Sequence, residues 1–333
     1  MAKKMTDTVK FILLPSYTKE GWNVDEIKSK LEPFEKFHRI GFKPDGFIKN
    51  MAIWVNERKI VVEGSIAKYW QKNNVENFDW RNFRKAIDLL SYELGVPLEN
   101  GKIIRLDIGV NIGLNQEVVD YFPELQRLEF FQRNTARETT LRYQGNSVGI
   151  NYLLYDKLSE FRSREKLIDD DLSFLTDEKH LMRIEIQMQS RISEIVGIKD
   201  VRIYDLFEEE TCKHILRLWY NTYFDIEKEA LLIYPERLKG LPGFDKFMRR
   251  YIVQTMGWER LDFLMKQGVK KKCLYSSDKS KRLALFKDAM LDNFSFEFEQ
   301  HTKELSHKVK VAYVEGLKQI FRMKKKSVEK LVK

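Results

Sequence analysis

The stretch RLDIGVNI, Arg105 to Ile112, sets Arg105, Asp107 and Asn111 against Leu106, Ile108, Val110 and Ile112. Successive side chains on a strand point to opposite faces, so this spacing predicts a strand with one polar and one apolar face. LMRIEIQMQ, Leu181 to Gln189, repeats the pattern, with Arg183, Glu185, Gln187 and Gln189 against Ile184, Ile186 and Met188. Between them INYLLYDKLSE, Ile150 to Glu160, puts Tyr155 and Lys157 together and Leu154 and Asp156 opposite. If the three pair in one sheet, two carboxylates, a phenol and a lysine gather over a greasy back. That set suits phosphoryl transfer through a tyrosine.

Working outward, TVKFILL (Thr8 to Leu14) predicts a first strand with Val9, Phe11 and Leu13 on one face. A helix is expected from Val24 to Phe37. MAIWVNERKIVVEG predicts a hairpin turning at Asn56, Glu57 and Arg58. Asp79 then caps a helix striped with Trp80, Phe83, Ile87, Leu90 and Leu94, which Gly95-Val96-Pro97 stops. TTLRYQGNSVGINYLLYDK predicts a second hairpin. After Glu185 the pattern becomes helical, and PERLKGLPG (Pro235 to Gly243) reads as a domain boundary. The expected architecture is α+β: an antiparallel sheet with helices on one face over residues 1–234, and a helical domain over residues 244–333.

The chain has 333 residues, 43% of them hydrophobic, with 22 Phe, 14 Tyr and 6 Trp, enough for a sizeable core. Its net charge of +9 favours an anionic partner, nucleic acid before a membrane surface. Two distant cysteines, Cys212 and Cys273, argue for reduced thiols rather than a disulfide framework. No apolar run approaches a signal peptide or a membrane span, so a soluble cytoplasmic protein is expected, with no membrane partner. Basic clusters fall late in the chain, at Lys270, Lys271 and Lys272 and again at Lys324, Lys325 and Lys326. Such runs are either solvated helix faces or contacts to a phosphate backbone.

Acids are poor strand formers, so Asp107 and Glu185 require a reason. One is cross-strand pairing with Arg105 and Arg183 on a solvated face. The other is convergence on a hard cation such as Mg2+ or Mn2+. A phenol titrates near pH 10 and needs help to attack phosphorus. A metal on Asp107 and Glu185 together with Lys157 would supply it. Glu160 joins only if the strand ends near Leu158. Tyr143 and Tyr152 are nearby candidates for a second tyrosine. The five histidines form no His-x-His pair, and there is no phosphate-binding Gly-rich loop of the Walker type.

The order RLDIGVNI, INYLLYDKLSE and LMRIEIQMQSRISEIVGIKDVRIYDLF resembles the filamentous-phage gene II (phage X) replication initiators. It is similar, more distantly, to the Rep_trans initiators of rolling-circle plasmids, which share the Tyr-x-Lys-x-x-Glu signature. The resemblance spans residues 100–225. It implies a Rep-nuclease-like fold and an endonuclease that nicks and closes one strand at a double-stranded origin, within a bacterial host. Tyr155 would form a 5′-phosphotyrosyl link, with Lys157 steadying the phosphate. Asp107, Glu185 and Glu160 would hold the Mg2+ or Mn2+ ion. Arg105 and Arg183 would orient those acids or touch DNA. The implied partners are double-stranded and single-stranded origin DNA and the host polymerase and helicase. Two other readings remain open: a non-catalytic origin-binding protein, and a primase-like nucleotidyltransferase.

Overall fold

Alternation decides the first strand. Val9, Phe11 and Leu13 of β1 (Thr8–Leu13) are fully buried, and their neighbours are half-exposed. The computed structural model describes residues 8–33, 43–75, 78–145, 147–165, 176–235, 238–291 and 297–331. A short helix α1 (Val24–Ser29) follows, capped by the Asn23 side chain, which accepts from the Asp25 and Glu26 amides. It ends sooner than the expected Phe37. Glu32 leaves the helical path to bridge Phe47, and residues 34–37 lie outside the described ones. Next come β2 (Gly46–Ile48) and the hairpin β3 (Met51–Asn56) and β4 (Lys59–Ser65), closed by an Asn56–Lys59 pair. Helix α2 (Ile66–Gln71) leads to α3 (Trp80–Leu94). Asp79 accepts from the Asn82 amide to start α3, and Gly95 ends it at φ 79°, where glycine carries no Cβ penalty.

The long strand β5 (Lys102–Leu114) is followed by β6 (Gln132–Arg137), β7 (Thr140–Gly145), β8 (Ile150–Asp156), helix α4 (Lys157–Glu165) and β9 (His180–Met188). The nine strands form one sheet in the order β2-β3-β4-β1-β5-β9-β8-β7-β6. Every neighbouring pair is antiparallel. The fold is α+β with an open antiparallel sheet. Its edges are blunted, one by a three-residue strand and the other by the polar run QRNTAR.

Helices cover one face. After α5 (Ile192–Val196), helix α6 (Glu209–Phe224) packs Cys212, Ile215, Leu216, Trp219 and Tyr223 into the core under β8 and β9. Trp219 Nε1 donates to the Ile184 carbonyl and Tyr152 Oη donates to the Trp219 carbonyl, so both buried polar tips are satisfied.

By contact the chain falls into two units, residues 1–229 with 301–333, and residues 230–300. In the second, β10 (Leu231–Ile233) pairs with β11 (Glu297–Glu299) beside α7 (Gly240–Met256), α8 (Trp258–Lys270) and α9 (Ser276–Leu291), which bury Val253, Leu261 and Phe286 together. This division differs from the expected 1–234 and 244–333. The end of the Pro/Gly stretch opens α7, with Pro242 in its first turn, where a missing N–H costs nothing. The last helix, α10 (Thr302–Leu331), groups with the sheet unit because Leu305, Val309, Ala312 and Ile320 enter its core.

Glu124 fixes where α10 begins. It is fully buried, and its carboxylate accepts from the His301 amide at 2.6 Å, the Thr302 amide at 2.9 Å and Thr302 Oγ1 at 2.6 Å. A carboxylate there meets both the orphan amides and the positive end of the helix. Glu124→Ala is expected to cost about 2–3 kcal/mol, since it strands buried donors. Chemical denaturation of the full chain checks this, and a loss below about 0.5 kcal/mol contradicts it.

Among the described residues, no helix is long and apolar enough to cross a membrane. Cys212 is buried and Cys273 exposed, and both are free thiols.

Candidate active site

The opposite face of the sheet, partly covered by α4 and by the Asn74–Val75 segment, carries the polar residues of the three strands. In β5 the core-facing residues are Leu106, Ile108, Val110 and Ile112, so Arg105, Asp107 and Asn111 turn the other way. Register then aligns their partners. Asn111 lies opposite Arg183 and Arg183 opposite Tyr155, while Asp107 lies opposite Gln187. Asp107, Glu185 and Tyr155 therefore share one face of adjacent strands.

Each acid has a guanidinium. Arg105 grips Asp107 through Nε at 3.1 Å and Nη2 at 2.6 Å, and it reaches Glu63 at 3.7 Å. Burial works against the Arg105 charge. Hydrogen bonds to Asp107 and the charges of Asp107, Glu63 and Glu185 outweigh it and raise the Arg105 pKa. Arg183 Nε donates to Glu185 Oε2 at 2.9 Å and Nη1 donates to Asn111 Oδ1 at 2.9 Å. Asp107 and Arg183 are each 1% exposed and Glu185 is 5%. Of the two expected roles for Arg183, orienting the acid is the one its hydrogen bond to Glu185 supports.

Tyr155 Oη donates to Glu185 Oε2 at 3.2 Å, and Gln187 Nε2 donates to Oε1 at 2.6 Å. Glu185 is thus the hub of the cluster.

Lys157 is not on a strand. The Asp156 carboxylate accepts from the amides of Leu158 and Ser159, ends β8 and starts α4 with Lys157 as its first residue. Lys157 is nonetheless close, with Nζ 5.9 Å from the Tyr155 ring centroid. The strand's end also brings in Glu160, which accepts from Lys157 at 2.6 Å and pairs with Arg164. Glu160 thus meets Lys157 and Arg164.

Tyr143 and Tyr152 face the core. Burial drives the Tyr143 phenol up to about 12, with Arg133 only partly opposing it, and burial drives Tyr152 well above its ordinary value. Both serve packing, so a second tyrosine from this pair has no access to substrate. Lys270, Lys271 and Lys272 are exposed at the end of α8 and the turn after it. The side chains of Lys324, Lys325 and Lys326 lie outside the described residues.

Three contributors escape pattern reading. Lys10 and Glu63 arrive from β1 and β4, paired at 2.7 Å. Gly109 makes room, since a Cβ there would fall inside the Arg183 guanidinium. A glycine in mid-strand was the available signal, because it marks close approach. Gly109→Ala is expected to push Arg183 off Glu185 and destabilise the chain by about 1–3 kcal/mol. A melting temperature equal to that of the unaltered chain contradicts this.

Among the described residues, no group of three or more His, Cys, Asp or Glu side chains is placed to hold a metal ion. By donor chemistry, Asp107 and Glu185 suit a hard divalent cation, but each already faces an arginine. No known family model matches the chain, and no curated protein sequence matches it.

Proposed function

We propose that this chain is a DNA strand-transferase with a Rep-nuclease-like catalytic unit, which nicks and rejoins one strand at a replication origin through Tyr155. The observation that carries this reading is the shared sheet face on which Tyr155 Oη meets Glu185 and lies beside the buried Lys157. A phenol that only filled space would not need a buried acid and a buried ammonium around it.

The chemistry follows from reach. Glu185 Oε2 lies within hydrogen-bond distance of the phenol and takes the proton as Tyr155 Oη attacks phosphorus. The new bond joins the Tyr155 oxygen to the 5′ phosphate. The bond that breaks joins phosphorus to the 3′ oxygen, which leaves with its electron pair and takes a proton from solvent. Lys157 offsets charge on the phosphoryl oxygens. The phosphodiester energy is kept in the tyrosyl ester, so resealing requires no nucleoside triphosphate.

Asp107 and Glu185 are the residues that would hold Mg2+ or Mn2+, which would neutralise charge at the scissile phosphate. Arg105 competes for the same Asp107 oxygens. Asp107→Asn is therefore expected to weaken Mn2+ binding, read by calorimetry, at least about ten-fold. Unchanged Mn2+ affinity assigns Asp107 to Arg105 alone.

The partners of this reading are double-stranded and single-stranded origin DNA, with the host polymerase and helicase acting on the freed 3′ end. The exposed Lys270–Lys272 cluster supports contact with the phosphate backbone. The test is incubation with a supercoiled plasmid carrying the source replicon's origin, with Mn2+. The expected product is a nicked circle with protein attached to one 5′ end. Binding without any nick favours the origin-binding alternative. Incorporation of nucleotides without an adduct favours the primase-like one.

A further inference from the structure

The sheet face that carries Tyr155 continues beyond Arg105 across β1, β4 and β3, where its character changes. Trp54 lies opposite Val61, and Val61 opposite Ile12, so an apolar row crosses three strands. A bulge supplies the fourth member. Lys10 pairs with Arg105 and Phe11 with Ile103, which leaves Ile104 as the extra residue on β5. A bulge re-aims side chains, and here Ile104 joins the row beside Arg105 instead of entering the core. Together these side chains floor a pocket of about 480 Å3, rimmed by Lys10, Lys43 and Lys59.

Charge and shape both indicate the occupant. Lys10 Nζ sits 5.5 Å from the Trp54 ring centroid, held there by Glu63 at 2.7 Å. Asp45, an acid in the wall, is already engaged: it accepts from the Val55 amide at 2.8 Å and pairs with Lys28 at 3.3 Å. The rim is therefore cationic around an aromatic floor. An indole platform with flanking ammonium groups fits a flat base joined to phosphates. A duplex buries its base faces in the stack and cannot offer one to Trp54.

We infer that this pocket is a subsite for a single-stranded DNA nucleotide, its base stacked on Trp54 and its phosphates against Lys10, Lys43 and Lys59. The inference rests on the strand-transferase reading and extends it to substrate positioning. Trp54 and Tyr155 are five inter-strand steps apart across the sheet, and register aligns them with Lys102 and Asn111 of β5, so they are also offset along the strands; roughly 24 Å across and roughly 27 Å along put them roughly 35 Å apart. A strand seated on Trp54 would thus cross the sheet over several nucleotides to reach Tyr155. The pocket acts as a register stop that selects which phosphate meets the phenol.

The test uses the full chain and a fluorescein-labelled oligothymidine of about 15 nucleotides, followed by anisotropy. Trp54→Ala is expected to weaken single-strand binding about ten-fold, while Trp54→Phe, which keeps a ring, stays within about three-fold. Lys59→Ala should reduce the slope of log affinity against log salt by about 0.7. Affinity for a duplex of equal length should not change with Trp54→Ala. If Trp54→Ala and Lys59→Ala both bind the single strand as the unaltered chain does, the subsite is wrong, and the Tyr155 reading stands on its own nicking assay. Equal losses on single strand and duplex also overturn the subsite. If the unaltered chain binds no single strand at all, both readings fall.

Discussion

Arg183→Met is expected to destabilise the sheet unit by about 3 kcal/mol, the lower end of the cost of stranding one partner of a buried ion pair. The lower end applies because Tyr155 and Gln187 still donate to Glu185 when Arg183 is gone. For a unit of this size that corresponds to a fall in Tm of roughly 6–12 °C. Removing both charges is the informative companion. Arg183→Met combined with Glu185→Met replaces the pair with apolar groups, and such replacements are often neutral. The double variant should therefore be more stable than Arg183→Met alone. If the two losses simply add, the residues are not coupled, and the account of Glu185 as a hub is wrong.

Tyr155→Phe should abolish strand cleavage, by at least about 10⁴-fold, because no other group on this face supplies the attacking oxygen in the proposed reaction. Stability should barely move. The change removes the hydrogen bond to Glu185 at 3.2 Å, worth about 0.5–1.5 kcal/mol. DNA affinity should be retained, since the lysines proposed to meet phosphate are untouched. That pattern, with chemistry lost while fold and binding remain, distinguishes a nucleophile from a packing residue. Residual nicking near the normal rate would remove Tyr155 from the mechanism.

Much of this was legible in the chain because period-two alternation is a local property. The faces of RLDIGVNI and LMRIEIQMQ follow from the residues alone, and both arginine–acid pairs are two residues apart on one strand. What was not legible depends on contacts between distant segments. Whether Arg183 is exposed or buried depends on Asn111 and Gly109 of the neighbouring strand. Lys157 reads as a strand residue by parity. Asp156 overrides that by offering its carboxylate to the next two amides but one, a capping role that competes with the ladder. The bulge at Ile104 breaks parity between Ile103 and Leu106, both of which face the core. The point where α10 starts against the sheet unit is set by Glu124, whose partners His301 and Thr302 lie far along the chain. No sequence window holds both ends of that contact.

Peptide mapping of the covalent complex shows whether Tyr155 becomes joined to DNA. The complex formed on origin DNA would be digested with nuclease and trypsin, and the modified residue located by fragmentation mass spectrometry. Trypsin cleaves after Arg142 and Lys157, so Tyr143, Tyr152 and Tyr155 share one peptide and fragmentation must separate them. The nucleotide phosphate is expected on Tyr155 alone. A nucleotide on Tyr143, on Tyr152 or on any residue outside this peptide would contradict it.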